Sequence, residues 1–439
     1  MPQIVYNRIE SKSPSNQETD RTQYNAAFPC SIITYLDRNV KVFSEKMKIC
    51  GIICEYNPFH NGHAYLIERV KAESGCDALL CVMSSNFTQR GDAAILEKHV
   101  RARHAILAGA DAVIELPAAF ATAPAEIFAR GGIRLLSSIP AFASLAFGCE
   151  NGDAKTFLTT AKAMRDEDKA FRAALHAQLR NGYSLTSARS TALESCGLAQ
   201  EAALLRSPNN ILGIEYCKAL LAERPKATIL PVRRRGAGYA DPTMHVQFSS
   251  ATAIRSALKG GNIDPVRNNV PDFVLKDLQN TTDTHDFGTL AVYAILTLPI
   301  ESLRKILDCS EGLENRLYTL AKKTPDYDAI VAEATSKRYI ASRIRRIMAS
   351  AVLGIDETLI RESLCANLYL NILAVRKCRA QQILPVLAES PWHILLRNGD
   401  EKALSPAAKR CHAADSRAED IYAAVTHSSP PYGKRTVFV

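Results

Sequence analysis

Two short segments carry residue types that suit chemistry on a phosphate. The first is His60-Asn61-Gly62-His63, which follows an apolar run and the turn Glu55-Tyr56-Asn57-Pro58-Phe59 and stands at the mouth of a helix. A helix N-terminus offers unpaired backbone N–H groups and the positive end of the helix dipole, both suited to phosphate. Gly62 lets the backbone approach a nucleotide without a Cβ in the way. Imidazoles on either side of it can donate hydrogen bonds to phosphoryl oxygens as charge builds on them. A zinc site is disfavoured, because no third ligand stands at a suitable spacing. The second segment is Ser249-Ser250-Ala251-Thr252-Ala253-Ile254-Arg255. Small hydroxyl residues at a helix start make an ordinary N-cap. They also make an anion nest, with Arg255 one turn later able to reach a phosphate.

Residues so far apart need a scaffold to bring them together, and the hydropathy pattern supplies one. Residues 48–54 read as a buried strand, and a helix follows from about Gly62 to Ser74. Residues 77–83 give a second strand, the polar loop Ser84 to Asp92 follows, and 97–109 have helical spacing. Asp111 to Leu116 is a third strand, 123–138 a helix, and Ala143 to Phe147 a fourth strand ending in Gly148-Cys149-Glu150. Residues 228–232 are a fifth candidate, after a helical stretch over 153–225. This rhythm predicts an α/β fold, a Rossmann-like parallel sheet with right-handed crossovers. Ligands of such sheets sit at the carboxyl ends of the strands. The expected organisation is a catalytic domain over 47–260, a linker rich in Gly and Pro over 261–289, and a mostly helical basic domain over 290–439. Residues 1–46 are polar and without periodicity, and are expected to be a dispensable or miscalled extension before a start at Met47.

Composition sets the outer bounds. Of 439 residues, 47% are apolar and 23% charged, which excludes wholesale disorder. No uncharged apolar run of about 18 residues occurs, so no membrane-spanning helix is expected. Lys and Arg number 54 against 45 Asp and Glu, a formal charge of +9 that permits an anionic partner without requiring one. The twelve cysteines form no CxxC pair and read as free thiols of a cytoplasmic protein.

The two segments together, with Asn86-Phe87-Thr88-Gln89-Arg90-Gly91-Asp92, Asp111-Ala112-Val113-Ile114-Glu115-Leu116-Pro117, Phe147-Gly148-Cys149-Glu150 and Ser207-Pro208-Asn209-Asn210, narrow the reading. The chain resembles the bacterial tRNA(Met) cytidine acetate ligase family, within the HxGH nucleotidylyltransferases related to class I aminoacyl-tRNA synthetases. The resemblance implies an ATP-dependent ligase. It would activate acetate as acetyl-adenylate and acetylate N4 of the wobble cytidine of elongator tRNA(Met), with Mg²⁺ accompanying the ATP. It implies an ATP site formed by Ile53, Cys54, Glu55, Tyr56, Asn57, Pro58, Phe59, His60, Asn61, Gly62, His63, Ala64, Tyr65 and Leu66, with His60 and His63 catalytic on the phosphates. Gly148, Asn209 and Arg234 would join them, Arg234 being taken from the run 233–235 by its place before Gly236; Ser250 and Arg255 complete the set.

Other positions stay open between two readings. The Asn86 to Asp92 loop is either solvated or in contact with substrate, and Lys98, Arg101 and Arg103 are either an exposed face or RNA contacts. Lys337, Arg338, Arg343, Arg345 and Arg346 cluster within ten residues and are expected to contact tRNA phosphates. The segment Tyr369 to Arg376 departs from the glycine-bearing Arg-x-Leu-Gly-Phe pattern expected in relatives. Two competing functions are a small-molecule nucleotidylyltransferase and a non-catalytic RNA-binding protein. No protein partner is implied.

Overall fold

Ile-Cys-Gly-Ile-Ile-Cys and Ala-Leu-Leu-Cys-Val-Met-Ser are apolar on both faces, as strands covered by helices on both sides must be. They form β1 (Ile49–Cys54) and β2 (Ala78–Ser84) of a computed structural model that describes residues 47–224, 226–235, 243–279, 286–336, 338–428 and 436–439. The expected extension 1–46 and Lys337 lie outside the described residues. β3 (Ala112–Leu116), β4 (Phe142–Cys149) and β5 (Thr228–Arg233) complete the expected strands. The order is β5-β4-β1-β2-β3, every neighbouring pair parallel. The chain therefore steps outward from β1 through β2 to β3 and then returns to the other side of β1 at β4. That reversal creates a crevice at the carboxyl ends of β1 and β4, the usual ligand position of such sheets.

Helices α1 (Asn61–Glu73) and α2 (Lys98–Ala108) cover one face, and α3 (Ala125–Ser137) and α4 (Pro208–Glu223) the other. Between β4 and α4 stand shorter helices over 154–166, 169–180, 185–195 and 199–204. After β5 come α5 (Ala251–Lys259), α6 (Asp272–Leu278), α7 (Asp286–Thr297), α8 (Tyr327–Ala334) and α9 (Ala341–Leu353). Helices α7, α8 and α9 share a third apolar core of their own, with Ile295, Ile330 and Ile347 buried in it.

Two expectations about organisation are corrected. The segment 261–279 is folded, not a linker. Val266, Val270, Val274 and Leu278 are buried against the α1–α2 face of the sheet. Val266 ends a 3-10 turn, Val270 lies in the bend that follows, and Val274 and Leu278 are on α6. Pro265 and Pro271 stand at helix starts, where proline is tolerated, rather than breaking helices. The part beyond 290 is mostly helical, as expected, but it is not a domain apart from the sheet. Tyr369 to Val375, the segment that departs from the glycine-bearing pattern, is β6, which pairs antiparallel with β3 and extends the same sheet. β7 (His393–Leu395) and β8 (Val437–Phe438) pair with β6, and α10 (Pro406–Val425) packs beside them. The run Tyr-Leu-Asn-Ile-Leu-Ala-Val has the β-branched and aromatic content of a buried strand, and it covers an edge that β3 would otherwise expose.

Candidate active site

The site begins where β1 ends. Tyr56 adopts left-handed backbone (φ 50°), and the chain turns through Asn57 and Pro58 to put His60 at the N-cap of α1. His60 Nδ1 accepts the Gly62 N–H at 3.0 Å, and His63 Nδ1 accepts the His60 N–H at 3.3 Å. The pair forms a capping box built from imidazoles instead of the usual hydroxyl and carboxylate. The rings stack with centroids 3.7 Å apart. Because each Nδ1 accepts a backbone N–H, each ring is the Nε2–H tautomer, and two N–H donors remain for a ligand. Gly62 is needed here for a reason other than the expected one. A Cβ at that position would lie 2.8 Å from His60 Cε1, so glycine is what lets the ring fold over the helix start.

Electrostatics keeps both rings neutral. Burial, with the guanidinium groups of Arg234 and Arg255 nearby, pushes the His60 imidazole down to about 3. Burial, His60 and Arg234 hold His63 well below the usual histidine range. The sign of the linkage follows. An unfolded His60 binds a proton below its ordinary value of about 6.5, whereas the folded one resists until about 3, so stability is lost on acidification through that window. The slope contributed by one such group is about 1.4 kcal/mol per pH unit. His60→Asn keeps an N-cap acceptor but cannot titrate. Urea unfolding midpoints measured at pH 7.5 and 5.0 should converge for this variant relative to the unsubstituted protein. An undiminished acid loss would contradict the assignment.

Arg255 and Asn61 pin the second segment to the first. Arg255 Nη1 donates to the Asn57 carbonyl at 2.7 Å across 198 residues of sequence. Asn61 Nδ2 donates to the carbonyls of Gln247 and Asn268 at 3.1 and 2.9 Å. Thr252 and Arg255 on the first turn of α5 thus face the histidines across one pocket, together with Gly148 from β4, Asn209 from α4 and Arg234 after β5. The pocket is a cleft partly open to solvent, walled by strand ends, the α1 start and the α5 start. Arg234 N–H donates to the Cys149 carbonyl at 2.9 Å, and Asn209 is fixed by the Glu150 carboxylate at 2.6 Å. Arg235 lies 4.6 Å from the Tyr65 ring centroid. Among the fourteen residues from 53 to 66, Ile53, Cys54, Glu55, Tyr56, Asn57, His60, Gly62, His63, Tyr65 and Leu66 line the pocket.

Several expected contacts fall away. Pro58, Phe59, Asn61 and Ala64 do not line the pocket; Phe59 is wholly buried in the core beside Tyr56, and Asn61 serves the bracing just described. Ser250 is a structural N-cap, its hydroxyl accepting the Ala253 N–H at 3.0 Å, and is buried away from the pocket. That serine serves the ordinary helix-start role and is not among the residues that line the pocket.

Of the two readings left open for the Asn86 to Asp92 loop, the geometry favours contact with substrate, and further residues join it. The Asn86 to Asp92 loop is pocket wall, contributing Thr88, Gln89, Arg90 and Asp92. Glu55 accepts the Gln89 N–H at 2.6 Å; burial raises its carboxyl while that N–H and Arg255, Arg90 and Arg101 oppose the rise. Phe128, Phe147 and Tyr216 form an apolar end to the pocket. Phe147 had a signal, since it ends the fourth strand; Phe128 and Tyr216 lie inside helices with no local mark.

The basic residues are corrected most. Lys98 and Arg101 are completely buried, neither an exposed face nor RNA contacts. Arg101 Nη1 donates to the Glu55 carbonyl at 2.5 Å and its Nε to the Leu96 carbonyl at 2.9 Å, buttressing the turn from behind. Arg103 pairs with Asp277 on α6 at 2.5 Å. On α9, Arg343 donates twice to the Asp308 carbonyl, at 3.0 and 2.7 Å, and lies over the Tyr339 ring. Arg346 pairs with the Asp308 carboxylate at 3.7 Å, and Arg345 with Asp92 at 3.7 Å. Each of these three is engaged by another part of the chain and stays partly exposed. Arg338 pairs with Glu311 and is the exposed member of the run among the described residues. The close approach of α9 is built in at Gly91 (φ 82°), where a Cβ would lie 2.4 Å from the Arg345 carbonyl carbon.

Comparison with known proteins agrees with this geometry. The sequence matches the HIGH Nucleotidyl Transferase family model over residues 47–435. It is 39% identical over 327 residues to the tRNA(Met) cytidine acetate ligase of Caldanaerobacter subterraneus subsp. tengcongensis, covering 72% of this chain and 80% of that one. It is 33% identical over 409 residues to that of Acetivibrio thermocellus, covering 88% and 97%. Among solved structures, Thermotoga maritima TmcAL in its apo form superposes with a TM-score of 0.84 at 26% identity, over 90% of this chain and all of that one. The same protein bound with alpha-thio ATP gives 0.81. With the imidazole pair, the arginines opposite it and the full-length similarity in agreement, the chain belongs to the tRNA(Met) cytidine acetate ligase family of HIGH nucleotidyl transferases.

Proposed function

We propose that the protein joins acetate to ATP as acetyl-adenylate, releasing diphosphate, and then transfers the acetyl group to N4 of the wobble cytidine of elongator tRNA(Met), releasing AMP. The observation that carries this reading is the convergence of His60, His63, Arg234 and Arg255 on one pocket at the carboxyl ends of the strands. Acetate is a poor electrophile, and adenylation turns it into a mixed anhydride with a good leaving group. Such a step needs no covalent nucleophile from the protein, only alignment of the two reactants and neutralisation of the charge that builds on the phosphates. His60 and His63 supply Nε2–H donors, and Arg234 and Arg255 supply full positive charge.

Among the described residues no group of three His, Cys, Asp or Glu side chains is placed to hold a metal. Mg²⁺ would accompany the ATP, since that ion favours phosphate oxygens and retained water. No helix among the described residues is long and apolar enough to cross a membrane, and a tRNA substrate assigns the protein to the cytoplasm. The test is incubation with ATP, labelled acetate and unmodified elongator tRNA(Met), followed by nuclease digestion. Label in N4-acetylcytidine, dependent on ATP, is expected. Transfer of a nucleotide to an acceptor without any need for acetate would overturn the reading in favour of a small-molecule nucleotidylyltransferase. RNA binding without turnover would reduce the protein to a non-catalytic binder.

A further inference from the structure

A second cavity lies against the first. It is a broad cleft partly open to solvent, and Arg90, Asp92, Thr252 and Arg255 line both. Its other walls come from α5, α7, α8 and α9, so it opens between the sheet and the helical core. Acetate is far too small to call for such a space, and nucleotide already has the first pocket. Three observations describe what would fit. Phe287 and Tyr327 make an aromatic floor, their ring centroids 6.2 Å apart at 67°, and Tyr293 stands on the rim, 64% exposed. Lys259 and Arg345 bring positive charge to the same walls. The Tyr327 hydroxyl is buried and has no hydrogen-bond partner among the described residues, an arrangement that costs stability unless something else supplies the acceptor.

We propose that this cavity seats the acceptor nucleoside of the RNA, flipped out of its strand, with its exocyclic amine turned toward the wall shared with the nucleotide pocket. The proposal rests on the acetate-adenylating reading above. Aromatic surfaces are the standard platform for an unstacked base, and nearby cations serve its flanking phosphates. Tyr327 offers a donor and Asp92 an acceptor, which matches the ring acceptors of cytosine beside its N4 amine. Asp92 is also the one carboxylate common to both cavities among the described residues. In the transfer step the N4 lone pair attacks the acetyl carbonyl carbon. The new C–N bond forms as the bond from that carbon to the AMP oxygen breaks, AMP leaves with the electron pair, and the surplus amine proton passes to Asp92 and on to solvent.

The test separates the two half-reactions in the full-length protein. Acetate-dependent exchange of labelled pyrophosphate into ATP reads adenylation without RNA, and labelled acetyl on an unmodified elongator tRNA(Met) transcript reads transfer. Tyr327→Phe removes an oxygen that makes no hydrogen bond to a described residue, so its thermal unfolding midpoint should not fall. Transfer should drop about tenfold while exchange stays within about twofold. Tyr293→Ala, on the exposed rim, should give the same split through lost stacking. Unchanged transfer in both variants overturns the proposal, and so does a parallel fall of exchange and transfer. An unsubstituted protein without acetate-dependent exchange would instead sink the adenylating reading itself, and this one with it.

Discussion

His63→Ala should lower acetate-dependent exchange of pyrophosphate into ATP by a factor of about 10² to 10³, while the affinity for elongator tRNA(Met) measured by filter binding changes little. Loss of one preformed donor to a developing anionic oxygen has this order of magnitude in water-excluded sites. The geometry explains why His63 is the informative member of the pair. Its Nδ1 is occupied by the His60 N–H, so its Nε2–H is directed by a bond made within the protein before any ligand arrives. The helix cap itself survives the substitution, because the Gly62 N–H remains satisfied by His60. His63 lines the nucleotide pocket and not the second cavity, so RNA contacts should persist. If exchange and RNA affinity fell together, the separation of a nucleotide side from an RNA side would be wrong.

Lys98→Met should destabilise the fold by about 3–5 kcal/mol, the usual cost of removing one partner from a buried ion pair. Lys98 Nζ donates to both oxygens of Glu115, at 2.7 and 2.8 Å, and also to Glu419. Lys98 is fully buried and Glu115 nearly so. Burial works against the charge on Lys98, but the carboxylates of Glu115 and Glu419 outweigh it and raise the ammonium group above its ordinary value. Burial raises the carboxyl of Glu115, and Lys98 opposes that rise. Asn371 of β6 donates to Glu115 at 2.6 Å, so the cluster joins α2, β3, β6 and α10. Without the ammonium group the buried Glu115 carboxylate faces the partly exposed Glu419 with no counter-charge. Adding Glu115→Gln to Lys98→Met should restore part of the loss by removing one of the unpaired charges. Urea unfolding of the three proteins is the measurement, and a loss below about 1 kcal/mol for Lys98→Met would refute the structural role.

What could be read from sequence follows from how local each feature is. β1, the turn and α1 lie within 25 residues, and their chemistry depends on neighbours in the chain, so His60, Gly62 and His63 were visible. Gly148, Asn209 and Arg234 came from segment resemblance, and the sheet brings them to the same pocket. Charged residues misled because a basic side chain looks the same in sequence whether it meets solvent or a buried carboxylate. The partner of Lys98 is 17 residues away on β3 and a second is 321 away on α10. Arg345 meets Asp92, and Arg343 meets a backbone carbonyl, which no residue pattern announces. The proline-containing stretch over 261–279 misled in the opposite sense, since Pro265 and Pro271 start helical turns rather than interrupt them. Ser250 shows the remaining difficulty: hydroxyls that cap a helix and hydroxyls that hold an anion share one sequence signature.

The antiparallel pairing of β6 with β3 has a consequence for synthesis on the ribosome. The contact between Glu115 and Asn371 spans 256 residues, so β3 emerges long before the strand that covers it. At ordinary elongation rates of about 5–20 residues per second, that interval is roughly 10–50 s. During it the nascent chain carries an uncovered strand edge and a Lys98–Glu115 pair without its later partners Asn371 and Glu419, the kind of surface that chaperones shield. A product cut short between residues 256 and 368 would therefore hold every residue that lines the nucleotide pocket and lack the strand that covers β3.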